Sequence, residues 1–279
     1  MNKNRLPPNQ LLHLTSRSVN WAIVLNTLRL VIFFILSFLT AHSFAKSLTQ
    51  YRVGVEGLDY YPHFAFGYRE TSFSKVVLDR FAQEQNISFE YIPLPIKRME
   101  ILYKEDKIDF RFPDNVMWRE TQFDRDSVIY STPLVTVLAG TTVLKSKLGR
   151  SRASINSIGT LLGFHPGLWA DKLNVKEFKF LYHSSVASVV NMGLDNIVDG
   201  LEIDYSVIHF HLSKMGKKKA LVLDPTLPTL NVSYSLSTVR HTALINQFNL
   251  FVKNNRVFIN DTKKRFNIIE TPLDLNSFQ

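Results

Sequence analysis

Between residues 51 and 112 the hydrophobic period of the chain switches repeatedly from two to about 3.6, and few folds accept that rhythm. "YRVGVEG" puts Val53 and Val55 at period two and ends on a glycine, which predicts a strand. "FSKVVLDRFAQEQN" then sets Phe73, Val76, Val77 and Phe81 on one helical face, behind Thr71 or Ser72 as a cap. "ISFEYIP" alternates again, and "PIKRMEILYKE" returns to helical spacing at Ile96, Met99, Leu102 and Tyr103 behind Pro95. "KIDFRF" predicts the next strand. A β-α-β-α-β series of this kind predicts a mostly parallel sheet with helices on its faces.

The series restarts after about residue 140. "TLLGF" and "KEFKFLY" read as strands, and "SVASVVNMGLDNIV" as a helix with Val186, Val189, Val190, Leu194 and Ile197 on one face. "DYSVIHFHLSKMG" predicts a helix ending near Gly216, followed by a strand in "KKALVLDP". "VSYSLST" alternates, and "TALINQFNLFVKNN" and a shorter segment close the chain as helices. The sum is an α/β chain of two similar lobes. Neither a Gly-Ser nor a Pro-rich linker separates them, so short crossing strands and a hinge are expected.

The first 45 residues stand apart. Lys3, Arg5, Arg17 and Arg29 precede the apolar run "LRLVIFFILSFLTA" and the small residues Ser43 and Ala45, which is the layout of a cleavable secretory signal. The uninterrupted apolar part, Leu30 to Ala41, falls short of the roughly 20 residues that span a bilayer. Export with cleavage after Ala45, rather than retention as an anchor, is therefore expected. With no cysteine anywhere in its 279 residues, the chain has no disulfide, thiolate metal site, cysteine nucleophile or lipidated cysteine.

The formal charge is +9, but without the four basic residues of 1–45 there remain 29 basic against 24 acidic groups, or +5. The basic clusters "KSKLGRSR" and "KMGKKKA" have no interleaved aromatics and read as solvated loops, so no nucleic-acid partner is expected. No phosphate loop, dinucleotide fingerprint or Gly-x-Ser-x-Gly elbow is present. His209 and His211, two apart on a helix, point to different faces and do not share a metal. These absences argue against an enzyme, a cofactor and a metal.

Several landmarks occur in the order found in a known family. "YRVGVEG" leads into "DYYPHF"; "LPIKRMEILYKEDKIDF", "VIYSTPLV", "LDNIVDGLEIDYSV" and "LPTLNVSYSLST" follow. In this series the chain resembles the periplasmic solute-binding proteins of family 3, the amino-acid type, over nearly all of 50–270. The resemblance implies a type II periplasmic binding fold with residues 46–138 and 230–279 in one lobe and 139–229 in the other. It also implies a monomer whose inter-lobe cleft closes on a small polar solute for an ABC permease, or for a membrane sensor, with a dehydratase-like cleft enzyme of the same fold as a further alternative.

The resemblance also suggests the site. "FRFPDNVMWRE" would be a strand-end loop feeding the cleft, with Arg119 gripping a ligand carboxylate or else pairing with Glu120 or Asp124. Asp114 and Asn115 sit at that strand end as ligand groups, as turn formers, or as both. Trp118 would supply an apolar wall or core, and Arg98 a cleft side chain or an exposed helix face. Tyr60 matches the family's stacking aromatic, with Tyr61 and Phe64 as alternatives. From the second lobe, Asp204 would pair with a ligand ammonium, reinforced by Glu202, while Phe164 and His165 lie at a strand end. "TSFSKV" stands where the family writes Gly-Phe-Asp, which leaves peptides and polyamine-like cations open beside amino acids.

Overall fold

A computed structural model describes residues 20, 22, 25–30, 48–118 and 127–270. The chain divides into two compact units, Met1–Ser47 and Leu48–Gln279. In the first, residues 25–30 are helical and exposed. Most of the expected signal segment lies outside the described residues, and no helix among those described is long and apolar enough to cross a membrane.

The second unit begins as the sequence pattern requires. Strand β1 (Thr49–Glu56) is followed by α1 (Phe73–Glu84), β2 (Ile87–Leu94), α2 (Ile96–Lys104) and β3 (Phe110–Asp114). The apolar face of α1 buries Phe73, Val77, Leu78 and Phe81. Helix α2 starts directly after Pro95 and buries Met99 and Tyr103. Both helices hand over to the next strand through a left-handed residue, Asn86 at φ 53° and Asp106 at φ 58°. That conformation suits Asn and Asp, whose short polar side chains tolerate it.

Two short strands, β4 (Ile129–Tyr130) and β5 (Val135–Gly140), lead out of the first sheet. The second sheet then takes β6 (Thr142–Leu144), β7 (Ser157–Leu161), β8 (Lys179–His183), helix α3 (Val186–Leu194), β9 (Gly200–Leu201), helix α4 (Tyr205–Lys214) and β10 (Leu221–Leu223). The long β11 (Thr229–Thr238) returns to the first sheet, and α5 (Thr242–Asn254) and α6 (Arg256–Arg265) pack there.

The first sheet runs β2-β1-β3-β11-β4, with β5 also paired to β11; the second runs β10-β6-β9-β7-β8. β1 is parallel to both β2 and β3, and β7 is parallel to both β8 and β9. β5 and β11 form an antiparallel ribbon from Val135↔Tyr234 to Gly140↔Thr229, so the chain passes between the sheets twice, side by side. One contiguous core joins the sheets, from Val53, Phe110 and Phe248 through to Val189, Leu201 and Ile208. The architecture is the two-lobed α/β fold that the resemblance implied.

Several boundaries differ from the sequence pattern: β8 starts at Lys179 and not at Lys176, and the helix read through Ile197 stops at Leu194, which leaves Ile197 exposed. The strand read in "KIDFRF" starts only at Phe110, because Asp109 is held in the preceding loop by the Arg52 backbone N–H at 2.8 Å. The strand read in "TLLGF" ends at Leu161, where Gly163, at φ 94°, turns the chain. Strand β9 is only two residues long and carries no period to detect.

Gly200 in β9 is there for space. A Cβ would meet Thr141 Cγ2 at 2.7 Å and Ile158 Cδ1 at 3.2 Å. Thr141 is β-branched, fully buried and fixed by the Trp169 indole N–H, which donates to its Oγ1 at 3.0 Å. Gly200→Ala should therefore destabilise the protein by about 1–3 kcal/mol through overpacking. Urea denaturation would show it, and an unchanged midpoint would mean that Thr141 yields freely.

Candidate functional site

In an open α/β sheet the crevice lies at the carboxyl ends of the strands, where the strand order reverses. In the first sheet the chain goes from β1 out to β2 and back across to β3, so the reversal falls between β1 and β3. Their last residues are Glu56 and Asp114. In the second sheet β8 and β9 flank β7, and Phe164, Glu202 and Asp204 follow the ends of β7 and β9. The two strand-end crevices are closed on each other.

The contact is made by the loop after β1. His63 Nε2 lies 2.7 Å from Asp204 Oδ1, with both side chains almost wholly buried. The Asp204 backbone N–H donates to the Tyr60 hydroxyl at 2.9 Å. Asp204 also caps α4, with Oδ1 accepting from the Val207 N–H at 3.2 Å. Its Oδ2 and the His63 Nδ1 are buried with no hydrogen-bond partner among the described residues.

Aromatic rings surround this bond. Tyr60 stacks on Phe64 at 5.0 Å and meets Phe164 from the second sheet at 5.6 Å. Tyr234 of β11 packs edge-on to His63 at 5.7 Å. Burial first, and then the neighbouring Asp204 carboxylate, holds the Tyr60 hydroxyl well above the usual phenol range. Tyr234 is raised in the same way, by burial and then by Tyr60. Both therefore remain neutral groups able to donate and accept.

Behind them sits a buried charged layer. Arg111, the second residue of β3, donates through Nη1 to Glu100 Oε2 at 2.5 Å and has its Nε 3.8 Å from Asp114 Oδ1. Asp114 is fully buried and accepts from Ser237 Oγ at 2.5 Å and from the Asn115 N–H at 2.8 Å. Burial pushes the Glu56 carboxyl up to about 7, against the pull of Arg111 and with the repulsion of Asp114. On the opposite sheet burial likewise pushes Glu202 up to about 7, although the Leu168 N–H donates to its Oε1 at 3.0 Å.

The remaining sequence candidates fall in different places. Asn115 is engaged within the chain: its Nδ2 donates to the Ser233 carbonyl at 2.8 Å and its Oδ1 accepts from the Met117 N–H at 2.9 Å. Trp118 is exposed, with its ring 6.1 Å from that of Tyr234. Tyr61 faces away from Tyr60, against Phe210 at 4.3 Å and beneath the Arg69 guanidinium. Arg98 and His165 are exposed. Arg119 lies outside the described residues.

Four members of the cluster were not singled out in the sequence: Glu56, His63, Arg111 and Tyr234. Glu56 had a signal, an acid closing an apolar alternating strand. Arg111 had one too, a cation between Phe110 and Phe112 in the strand core. Nothing in the local sequence marks His63. Among the described residues, no three His, Asp or Glu groups are placed to hold a metal ion.

No protein-family model matches the sequence. The search of curated proteins found no match either. Solved structures do match. The ligand-binding core of GluR0 in complex with L-glutamate aligns at TM-score 0.64 and 14% identity, over 79% of this chain and 99% of that one. An arginine transport system periplasmic binding protein from Legionella pneumophila aligns at 0.61 and 12%, over 79% and 100%. An ancestral amino-acid-binding protein described as a precursor of cyclohexadienyl dehydratase aligns at 0.61 and 16%, over 78% and 95%. At such identities the likeness speaks for the fold: this chain has the two-lobed, type II periplasmic binding fold shared by amino-acid substrate-binding proteins of ABC transporters.

Proposed function

We propose that the protein is an exported solute-binding protein that closes its two lobes over a small polar solute, an amino acid or a close relative, for ABC-type uptake. The observation that carries this reading is the meeting of both strand-end crevices at Asp204, whose buried Oδ2 has no partner among the described residues. A buried acceptor of that kind suits a ligand N–H, and Tyr60 and Phe164 provide apolar walls from opposite lobes. Asp204 stays the ammonium partner of the reading, with Arg119 the carboxylate partner. A signal sequence cut after Ala45 would deliver the chain to the periplasm. A membrane sensor in place of a permease would use the same cleft, and genetic neighbours separate the two.

Thermal unfolding against the protein amino acids, short peptides and polyamines tests it. A ligand at 100 times its dissociation constant adds about 2.7 kcal/mol and raises the midpoint by several degrees. Asp204→Asn should keep the fold, because the amide oxygen still caps α4, and should lose that shift. If no solute moves the midpoint, the solute-binding reading fails.

A second reading rests on Glu56 and Glu202, whose carboxyls near 7 are suited to general acid–base work. It would be a cleft enzyme of the dehydratase kind. Mass spectrometry of the best ligand after incubation decides: loss of one water favours the enzyme, and unchanged ligand favours the binding protein.

A further inference from the structure

We propose that His63 is a built-in competitor for the ligand's place on Asp204, latching the two lobes together until a solute displaces it. The inference rests on the reading of the cleft as a solute site, and it adds a residue that sets which solutes enter and how tightly they bind.

The geometry is specific. His63 comes from the loop between β1 and α1, and Asp204 from the turn between β9 and α4, so their bond crosses from one lobe to the other. Oδ1 of Asp204 is saturated: it takes His63 Nε2 at 2.7 Å and the Val207 N–H at 3.2 Å, and Oδ2, the acceptor proposed for the ligand N–H, is buried beside that bond, so a solute reaches the carboxylate only when His63 lets go. An imidazole N–H directed at a carboxylate offers the same chemistry as a ligand ammonium, a charge-assisted N–H···O bond. A second inter-lobe bond, from the Asp204 N–H to the Tyr60 hydroxyl, comes from the same loop, three residues earlier. One short segment therefore supplies two polar ties between the lobes, beside the bond from the Ile269 N–H to Ser206 Oγ at 3.0 Å.

The rings hold the imidazole in place. Tyr234 packs edge-on to it, and the Tyr60 ring lies 6.3 Å away. The loop itself is pinned to the start of α1, where the Phe73 and Ser74 N–H groups donate to the Pro62 and His63 carbonyls at 3.0 and 2.9 Å. His63 thus reaches Asp204 from a fixed base and not from a wandering side chain.

Two consequences follow. A solute that offers no N–H to Asp204 leaves the latch closed and is refused. A solute that does offer one binds more weakly than the cleft allows, because apparent affinity falls with the fraction of molecules in the competent, open state.

The protein has no cysteine, so a pair of spin labels can be placed without background. Lys97→Cys and Leu162→Cys put one label on each lobe at exposed positions. The full chain is measured by pulsed electron resonance with no solute added. The parent should show one short distance, and His63→Phe should shift the distribution to longer distances. His63→Gln should restore the short one, because a Gln amide nitrogen sits where Nε2 does. His63→Asn, whose amide falls at the Nδ1 position, should not, and it serves where the Phe variant does not fold.

Titration with L-arginine and L-glutamate forms the second arm. Whichever binds the parent should bind the Phe or Asn variant about tenfold more tightly or better, the scale of a lost charged hydrogen bond. An unchanged distance distribution in folded His63→Phe or His63→Asn overturns the latch, whatever the titration gives. A longer distance with no binding of either amino acid upholds the latch and counts against the amino-acid reading alone.

Discussion

Replacing Arg111 by methionine is expected to destabilise the protein by about 3–5 kcal/mol at about pH 8, and by clearly less near pH 5. The guanidinium is about 5% exposed and lies among three carboxyl groups: Glu100 at 2.5 Å, Asp114 at 3.8 Å, and Glu56, whose proton affinity it lowers. Methionine fills much of the volume but leaves those carboxylates without that cation. Removing one partner of a buried charged set is costly because the others remain desolvated. At acid pH Glu56 is protonated with or without Arg111, so its share of the loss disappears. Urea denaturation at the two pH values measures both figures. An equal loss at each pH would mean that Glu56 does not feel Arg111.

Glu56→Gln is expected to stabilise the protein by about 3 kcal/mol near pH 8 and to leave it unchanged near pH 4. Burial raises this carboxyl from 4.5 to about 7, so between those values the folded chain holds a proton that the unfolded chain has released. Stability from this group is therefore fully present below about 4.5 and is lost as pH climbs through about 7. Glutamine is neutral throughout and escapes the loss. Glu202, raised to about 7 by burial, contributes a second decline in the same direction, so the variant's profile should flatten but not become level. A parallel downward slope in parent and variant would show that Glu56 is solvated in the folded protein. Ligand binding should follow the same proton if Glu56 borders the solute.

These two effects come from residues that the sequence displayed but did not explain. Arg111 appears as a cation inside "FRF", and Glu56 as an acid at the end of "VGVE". The alternation alone would allow either side chain to face water. Their burial follows from β1 and β3 being neighbours, with β11 covering the far side of β3, which no local pattern encodes. Asp114 shows the same limit. Pro-Asp-Asn reads as a turn, yet Asp114 closes β3 because Ser235 of β11 pairs with it and Ser237 Oγ donates to its carboxylate. Asn115 then makes the turn by itself.

The local structure was legible because each element advertises its period and its ends. The faces of α1, α2 and α5, the proline before α2 and the alternation in β1 and β11 lie within windows of a dozen residues or so. Order and spacing of those elements were enough to point to a two-lobed α/β chain. The short strands β4, β6 and β9 were not legible, since two or three residues carry no periodicity and exist only because their neighbours pair with them.

The sequence by itself determined the alternating elements and the two-lobed architecture they imply. Only the tertiary structure decided what Asp204 meets. His63 is 141 positions away in the chain, and Tyr60 is 144. Local physics fixes periods and caps over a few residues. A hydrogen bond across two lobes depends on where both sheets end in space.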